Sequence, residues 1–335
     1  MPFGLTGCNG GLDGLSLEEQ AALIQQAEHL GYESIWLNEE HFQAGGRVCL
    51  SPITHASYLA ARTERLRLGF SVLLVPLHDP LRLAEEIASL DQLSGGRVEV
   101  GISRGGNERY HRAFGVEYAQ RTTRYLEALE CMQAFWTGDG PVDFAGEHFA
   151  YTGIEMTPKP VQRPHPPIHV GARDPDSVRR AAIAGYALLE GPVQSVHFSQ
   201  LDVEAYRAGA ASVGRVAGPD ELTFGRFVFL AEDDARAHEQ AAPVVAGLVE
   251  RLRSFAIRDQ PYFVDSDQLT PEAFAHQVAI IGGPETCVAR IRELQDRLGF
   301  GRFTCAFGFF GFVSPVELRR SLRLFAAEVM PAFGS

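Results

Sequence analysis

The stretch "LRLGFSVLLVPLHDPLRLAEEIASLDQLSGGRVEVGISRGG" (residues 66–106) holds a complete strand–helix–strand unit. Its first part, "LRLGFSVLLVP" (66–76), is a nearly unbroken apolar run, which predicts a buried strand. Asp79 and Pro80 then supply an N-cap and a first-turn proline for the helix "PLRLAEEIASLDQL". Ser94, Gly95 and Gly96 end that helix, and "RVEVGI" (97–102) predicts the next strand. The first is near-continuously apolar rather than period-two, and two strands around one helix predict parallel neighbours in a buried sheet.

The same pattern extends in both directions. Upstream are the strands "FGLTG" (3–7) and "YESIWL" (32–37), with helices at 16–31 and 51–63. Ser16 and Glu19 form a capping box at the start of the first helix, and Gly31 marks its stop. Downstream, "PPIHVGA" (166–172), "YALLEG" (186–191), "LTFGRFVFLA" (222–231) and "FTCAFGFF" (303–310) predict four more strands. A helix at 283–299 precedes the last of them. Eight strands alternating with helices predict an α/β fold, a (β/α)8 TIM barrel in a single domain over 1–335. An open doubly wound sheet is the rival, but no G-x-G-x-x-G follows a predicted strand. Long excursions follow strands 4 and 7, at about 103–165 and 232–282. The first carries a helix near 117–136 and a hairpin pattern, "PVDFAGEHFAYTG"; the second is expected to act as a lid.

Composition narrows the function classes. With 45% hydrophobic residues the chain can bury a large core. A formal charge of -12 argues against nucleic acid and anionic membrane surfaces as partners. Cys8, Cys49, Cys131, Cys287 and Cys305 are scattered and form no C-x-x-C pair, which fits a reduced, cytoplasmic setting without disulfides. No secretory signal and no apolar run of membrane-spanning length is visible.

In such a barrel the site lies at the C-terminal ends of the strands. That rule selects Asn38, Glu39, Glu40 and His41 after strand 2, Ser71 and Val72 in strand 3, and Ser103, Arg104, Gly105 and Gly106 after strand 4. An arginine among glycines at a strand end suits a phosphate, although from local sequence alone a plain turn with a solvated arginine is slightly favoured. "GARDPDSVRRAA" (171–182) opens a helix at Asp174 and Pro175 with Ser177 in its first turn, a candidate anion site. A carboxylate at Asp174 opposes that reading unless it points away. Consecutive strand residues alternate in direction, so at most two of Glu39, Glu40 and His41 face the barrel mouth together. No spacing supports a metal site. "FTCAFGFFGF" (303–312) reads as strand core, with Gly308 and Gly311 able to admit a flat apolar ligand.

Five stretches in order, "GYESIWLNEEHF" (31–42), 75–105, "RAFGV" (112–116), 158–172 and "IGGPETCVARIREL" (281–294), resemble the bacterial luciferase-like family of flavin-dependent monooxygenases. The resemblance covers most of the chain and is weakest across 195–275. It implies a (β/α)8 barrel that binds FMN at its strand ends, as a homodimer. It assigns the phosphate to Arg104 and to Ala172, Arg173, Asp174 and Ser177, with Arg124 as a further phosphate-facing arginine. Backbone at Gly106 and Asn107 would lie along the flavin, and Ser71–Val72 would be a non-proline cis peptide under the ring. Two departures argue against light emission: Glu40 stands where luciferases carry the catalytic histidine, and Ser103 where they carry a reactive cysteine.

The resemblance therefore implies an enzyme that takes reduced FMN from a separate flavin reductase and uses O2 to oxygenate a small organic substrate, with Glu40 and His41 managing protons. Two alternatives stay open: a deazaflavin-dependent oxidoreductase of the same superfamily, and a non-catalytic flavin-binding protein.

Overall fold

The computed structural model describes residues 1–7, 15–42, 49–254 and 269–334. Cys8 and the span 255–268, where much of the expected lid falls, lie outside the described residues. In chain order, β1 (Phe3–Thr6), α1 (Leu17–His29), β2 (Ser34–Leu37), α2 (Pro52–Ala60), β3 (Arg67–Phe70), the short β4 (Leu73–Leu74) and α3 (Pro80–Ser94) form the first part. They are followed by β5 (Val98–Ser103), α4 (Glu108–Ala113), α5 (Arg121–Thr137), and the hairpin of β6 (Val142–Ala145) and β7 (Ala150–Ile154). Next come β8 (Ile168–Val170), α6 (Pro175–Ala184), β9 (Ala187–Glu190), α7 (Val196–Ser212), β10 (Leu222–Leu230) and α8 (Asp234–Ser254). The chain ends with α9 (Pro271–Gln277), β11 (Ala279–Gly282), α10 (Pro284–Leu298), β12 (Arg302–Ala306) and α11 (Pro315–Leu324).

Eight strands close a parallel barrel in the order β1, β2, β3, β5, β8, β9, β10, β12 and back to β1. All eight predicted strands are present. Local sequence explains the helices between them. Ser16 and Glu19 cap α1 reciprocally, Asp79 accepts the Arg82 N–H at the start of α3, and Gly95 ends α3 in the left-handed region at φ 68°. Gly101 allows close strand packing, since a Cβ there would collide with the Phe70 carbonyl.

The floor of the barrel is polar. Glu99 is fully buried and meets Arg67, Arg302 (2.8 Å) and His169 (3.1 Å). Burial pushes the Glu99 carboxyl up. The His169 hydrogen bond and the charges of His169, Arg302 and Arg67 outweigh burial and hold it well below the carboxylate range.

Several predicted strands are shorter than expected, among them 166–172, of which only Ile168–Val170 forms β8, and two others end well early. The run at 66–76 breaks after Phe70, where the Ser71–Val72 peptide is cis; β4 then pairs with Ile102 and Ser103 of β5. The last strand stops at Ala306 instead of reaching 310. Phe309 and Phe310 take left-handed φ values of 46° and 53° and pack against Phe227 at 4.9 and 5.2 Å. The buried partner on β10 turns the aromatic run across the mouth and away from the wall. In the second excursion, β11 adds itself to the outer half of β10, pairing with Phe227–Leu230. No helix among the described residues is long and apolar enough to cross a membrane.

Candidate active site

The C-terminal ends of the barrel strands surround one cavity of about 780 Å3. Thr6, Asn38, Glu40, Ser71, Ser103 and Thr304 reach it from β1, β2, β3, β5 and β12. Val72 forms one wall, and Gly171 lies so close that an added Cβ would meet Val72 Cγ1 at 2.9 Å. Gly105, at φ 71°, and Gly106 bring bare backbone to the same space. Behind them, the buried His111 ring sits between the carbonyls of Arg104 (3.2 Å) and Asn107 (3.0 Å) and fixes the turn.

One corner of the cavity is built for an anion. Arg104 Nη2 lies 3.1 Å from Asp174 Oδ2, and its Nη1 donates to Thr122 Oγ1 at 3.4 Å. Asp174 caps α6 by accepting the Ser177 N–H at 2.9 Å. Arg180, one turn further along α6, donates to Ser177 Oγ at 3.0 Å. Burial pushes the Asp174 carboxyl up, but the Ser177 backbone and hydroxyl, Arg104 and Arg180 together hold it below its usual range. Its negative charge is therefore spent on Arg104 and the helix cap. Ala172 and Arg173 line the same corner. The donor set suits a phosphate: guanidinium groups, a hydroxyl and the N-terminus of a ten-residue helix.

A second polar group anchors the opposite wall. Glu39 is buried; its carboxylate accepts from Leu74 N–H (2.7 Å) and contacts His78 Nε2 at 2.9 and 3.1 Å and His41 Nε2 at 2.9 Å. Burial pushes the Glu39 carboxyl up, yet the His41 and His78 contacts and the Leu74 N–H hold it at about 2. His78 moves the other way. Burial lowers it, but the Glu39 hydrogen bond and the charges of Glu39 and Glu86 hold it above the ordinary imidazole value. The Glu39 N–H also donates to the Val72 carbonyl at 3.3 Å, which ties the end of β2 to the cis peptide.

Of the residues singled out in the sequence, Asn38, Glu39, Glu40, Ser71, Val72, Ser103, Arg104, Gly105, Gly106, Ala172, Arg173, Asp174 and Ser177 meet at this one cavity. Three do not line it. Asn107 caps α4 by accepting the Arg109 N–H at 3.1 Å. Arg124 donates to the Pro76 carbonyl at 3.0 Å and lies over the Phe149 ring at 4.3 Å, so Arg180 stands at the anion corner in its place. His41 turns to Glu39 and packs near Tyr110 and Phe114, with ring centroids at 5.3 and 4.7 Å. As expected, no more than two of Glu39, Glu40 and His41 line the cavity, but the two are adjacent, because β2 ends at Leu37 and strand alternation does not extend to them. Arg180 was legible as the residue three after Ser177 on one helix face. His78 had no local signal beyond its position at the exit of a strand.

On another wall of the cavity, Glu190 at the end of β9 accepts from Ser199 Oγ at 2.9 Å, while Gln194 Nε2 donates to Asp202 at 2.6 Å. Burial first, and then the neighbouring Asp202 carboxyl, push Glu190 up. Arg226, fully buried, is pushed down to about 9 by burial against the pull of Glu190. Among the described residues no cluster of three or more His, Cys, Asp or Glu is placed to hold a metal ion.

The chain is 39% identical over 177 residues to an uncharacterized protein, y4wF, of Sinorhizobium fredii, spanning about half (51%) of that protein. It is 26% identical to the oxygenase component of the flavin-dependent trigonelline monooxygenase of Acinetobacter baylyi, covering 94% of this chain and 89% of that one. Among solved structures, the monooxygenase RslO1 of Streptomyces bottropensis superimposes with a TM-score of 0.84 at 26% identity, over 100% of both chains. The FMN complex of the oxygenating constituent of 3,6-diketocamphane monooxygenase from Pseudomonas putida gives 0.81 at 20% identity, over 99% and 98% of the two chains. The family pattern of luciferase-like monooxygenases matches residues 4–300, and this chain belongs to that family of flavin-dependent oxidoreductases.

Proposed function

We propose that this chain is the oxygenase component of a two-component FMN monooxygenase that oxygenates a small organic substrate. The observation that carries the reading is the anion corner of Arg104, Ser177 and Arg180 on the same cavity as the Val72–Gly171 wall. The corner would hold the phosphate; the wall and the bare backbone of Gly105 and Gly106 would hold a flat ring. Reduced FMN, when bound, supplies the electrons that activate O2. The protein's part is to position, to exclude water and to manage protons. Phe310 and Leu189 supply apolar surface in the cavity. Glu40, half-buried at the cavity wall, is the group assigned to hold or deliver a proton at its carboxyl oxygen. His41 acts at one remove, through Glu39. A separate reductase as the source of reduced flavin, and assembly as a homodimer, belong to the same proposal.

The test is to load the purified protein with photoreduced FMN and mix it with O2 while recording the return of the yellow oxidised-flavin absorbance. Bound flavin is expected to reoxidise on a time course distinct from free flavin, and substrate is expected to change that course. Identical kinetics with and without protein would reject the reading. O2-inert binding of a deazaflavin would select the oxidoreductase alternative.

A further inference from the structure

One polar cluster on the cavity wall has no part in the reading above. Ser199 and Asp202, three residues apart, share a face of α7, and that face packs on the end of β9, where Ser199 Oγ donates to the Glu190 carboxyl at 2.9 Å. Glu190, Ser199 and Asp202 are 4%, 0% and 5% exposed. Among the described residues, the second oxygen of Glu190, Oε1, meets no N–H or O–H donor. The neighbouring side chain is another carboxyl, Asp202, which takes its own donor from Gln194 at 2.6 Å. Two carboxyls hydrogen-bond to each other only through a proton on one of them. Burial first, and then Asp202, hold that proton on Glu190 up to about pH 8.

The pair stands beside the anion corner. β9 pairs with β8, α7 packs on α6, and Gln194 lines the same cavity as Arg104, Arg173 and Arg180. The charges of Asp174 and Arg173, both at the corner, reach Asp202 with opposite sign. From β10, the fully buried Arg226 pulls Glu190 towards its ionised form, and Arg290 of α10 acts on Arg226 in turn. At the corner, three guanidinium groups and the Asp174 carboxylate leave two positive charges. A phosphate monoester above its second pKa, about 6, carries two negative charges. That match holds while the pair keeps its proton. Arg226 balances one carboxylate of the pair, and a second would stand unbalanced behind the phosphate.

We propose that Glu190 and Asp202 are further determinants of flavin binding: they share one proton behind the phosphate corner, and its loss sets a negative charge against the phosphate. The inference rests on the flavin reading above. Phosphate binding and retention of the proton then favour each other. Affinity is full while the pair is protonated and falls as pH rises through its titration. The guanidinium groups do not titrate in this range. His41 and His78 contact Glu39 on the opposite wall, so their effect falls on the ring side and is shared by riboflavin, which has no phosphate.

Fluorescence titration of the flavin-free protein with FMN and with riboflavin, at about pH 7 and about pH 9, tests the inference in wild type, Glu190→Gln and Asp202→Asn. The FMN phosphate is a dianion at both values and adds no titration of its own. Wild type is expected to bind FMN about tenfold more weakly at the higher pH, while its riboflavin affinity changes by less than about twofold. Each substitution leaves a single carboxylate for Arg226 and is expected to reduce the FMN change to less than about twofold. The wild-type comparison of the two ligands needs no variant, so it decides even if a substitution fails to fold. The inference is overturned, with the flavin reading intact, if FMN affinity in wild type does not fall, if riboflavin shares the fall, or if both variants retain it. Failure of FMN to bind wild type at either pH would overturn the flavin reading, and this inference with it.

Discussion

Glu39 has almost no contact with water, and its carboxylate is held by two imidazoles and a backbone N–H. A group depressed to about 2 contributes stability that is present above the unfolded glutamate value, near 4.3, and lost as pH falls through 2. His78, raised, contributes stability that is present below the unfolded imidazole value and lost as pH rises through its folded value. Glu39→Gln removes both, and is expected to cost about 2 kcal/mol at neutral pH, measured by urea unfolding. Unchanged stability would mean that the network is idle. Glu40→Gln is expected instead to lower turnover by about a hundredfold with FMN affinity unchanged, since its assigned role is proton management. Arg104→Ala is expected to weaken FMN by about ten- to a hundredfold in a fluorescence titration, the loss of charge-assisted hydrogen bonds to a phosphate. Full FMN affinity in that variant would remove the phosphate from this corner. "WLNEEHF" (36–42) pointed to the right place in the sequence, but the partner of Glu39 was not legible there: His78 lies 39 residues away and meets it only because β2 and β3 pair.

At the scale of elements, local chemistry was legible wherever it was self-contained. The capping box of α1, Asp79 before Pro80, Gly95 after α3, and Asp174 before Pro175 each act within four residues, and each appears in the fold as expected. The early strand ends at Phe70 and Ala306 depend on contacts across the barrel mouth. The α7 helix carries a testable consequence. Glu190 is raised by burial and by Asp202, so the folded state binds a proton more tightly than the unfolded chain. Stability is then complete below the unfolded glutamate value and falls as pH rises towards the raised folded value. Asp202→Asn removes the neighbouring carboxyl and is expected to flatten the decline in melting temperature between the unfolded glutamate value, about pH 4.3, and about 8 relative to wild type. Parallel slopes for the two proteins would show that the pair does not titrate in that range.

At the scale of the molecule, eight apolar strands separated by helices sufficed to predict a closed parallel barrel, because only burial on both faces explains runs without alternation. The barrel rule then placed the site at the strand ends and brought most of the residues selected in sequence to one cavity. The carboxyl pair beside the anion corner was not legible. Glu190 ends a strand and Asp202 lies within a helix, and only the packing of α7 on β9 brings them together. A bound cofactor also stabilises the whole barrel by mass action: FMN at about a hundred times its dissociation constant is expected to add about 2.7 kcal/mol, read as a rise in melting temperature that Arg104→Ala reduces. The central claim is that the strand-end cavity holds a flavin by its phosphate. A crystal structure of the protein grown with FMN tests it most directly. The phosphate is expected within hydrogen-bond distance of Arg104, Ser177 and Arg180, with the ring against Val72 and Gly171. FMN bound elsewhere, or with its phosphate away from that corner, would contradict it.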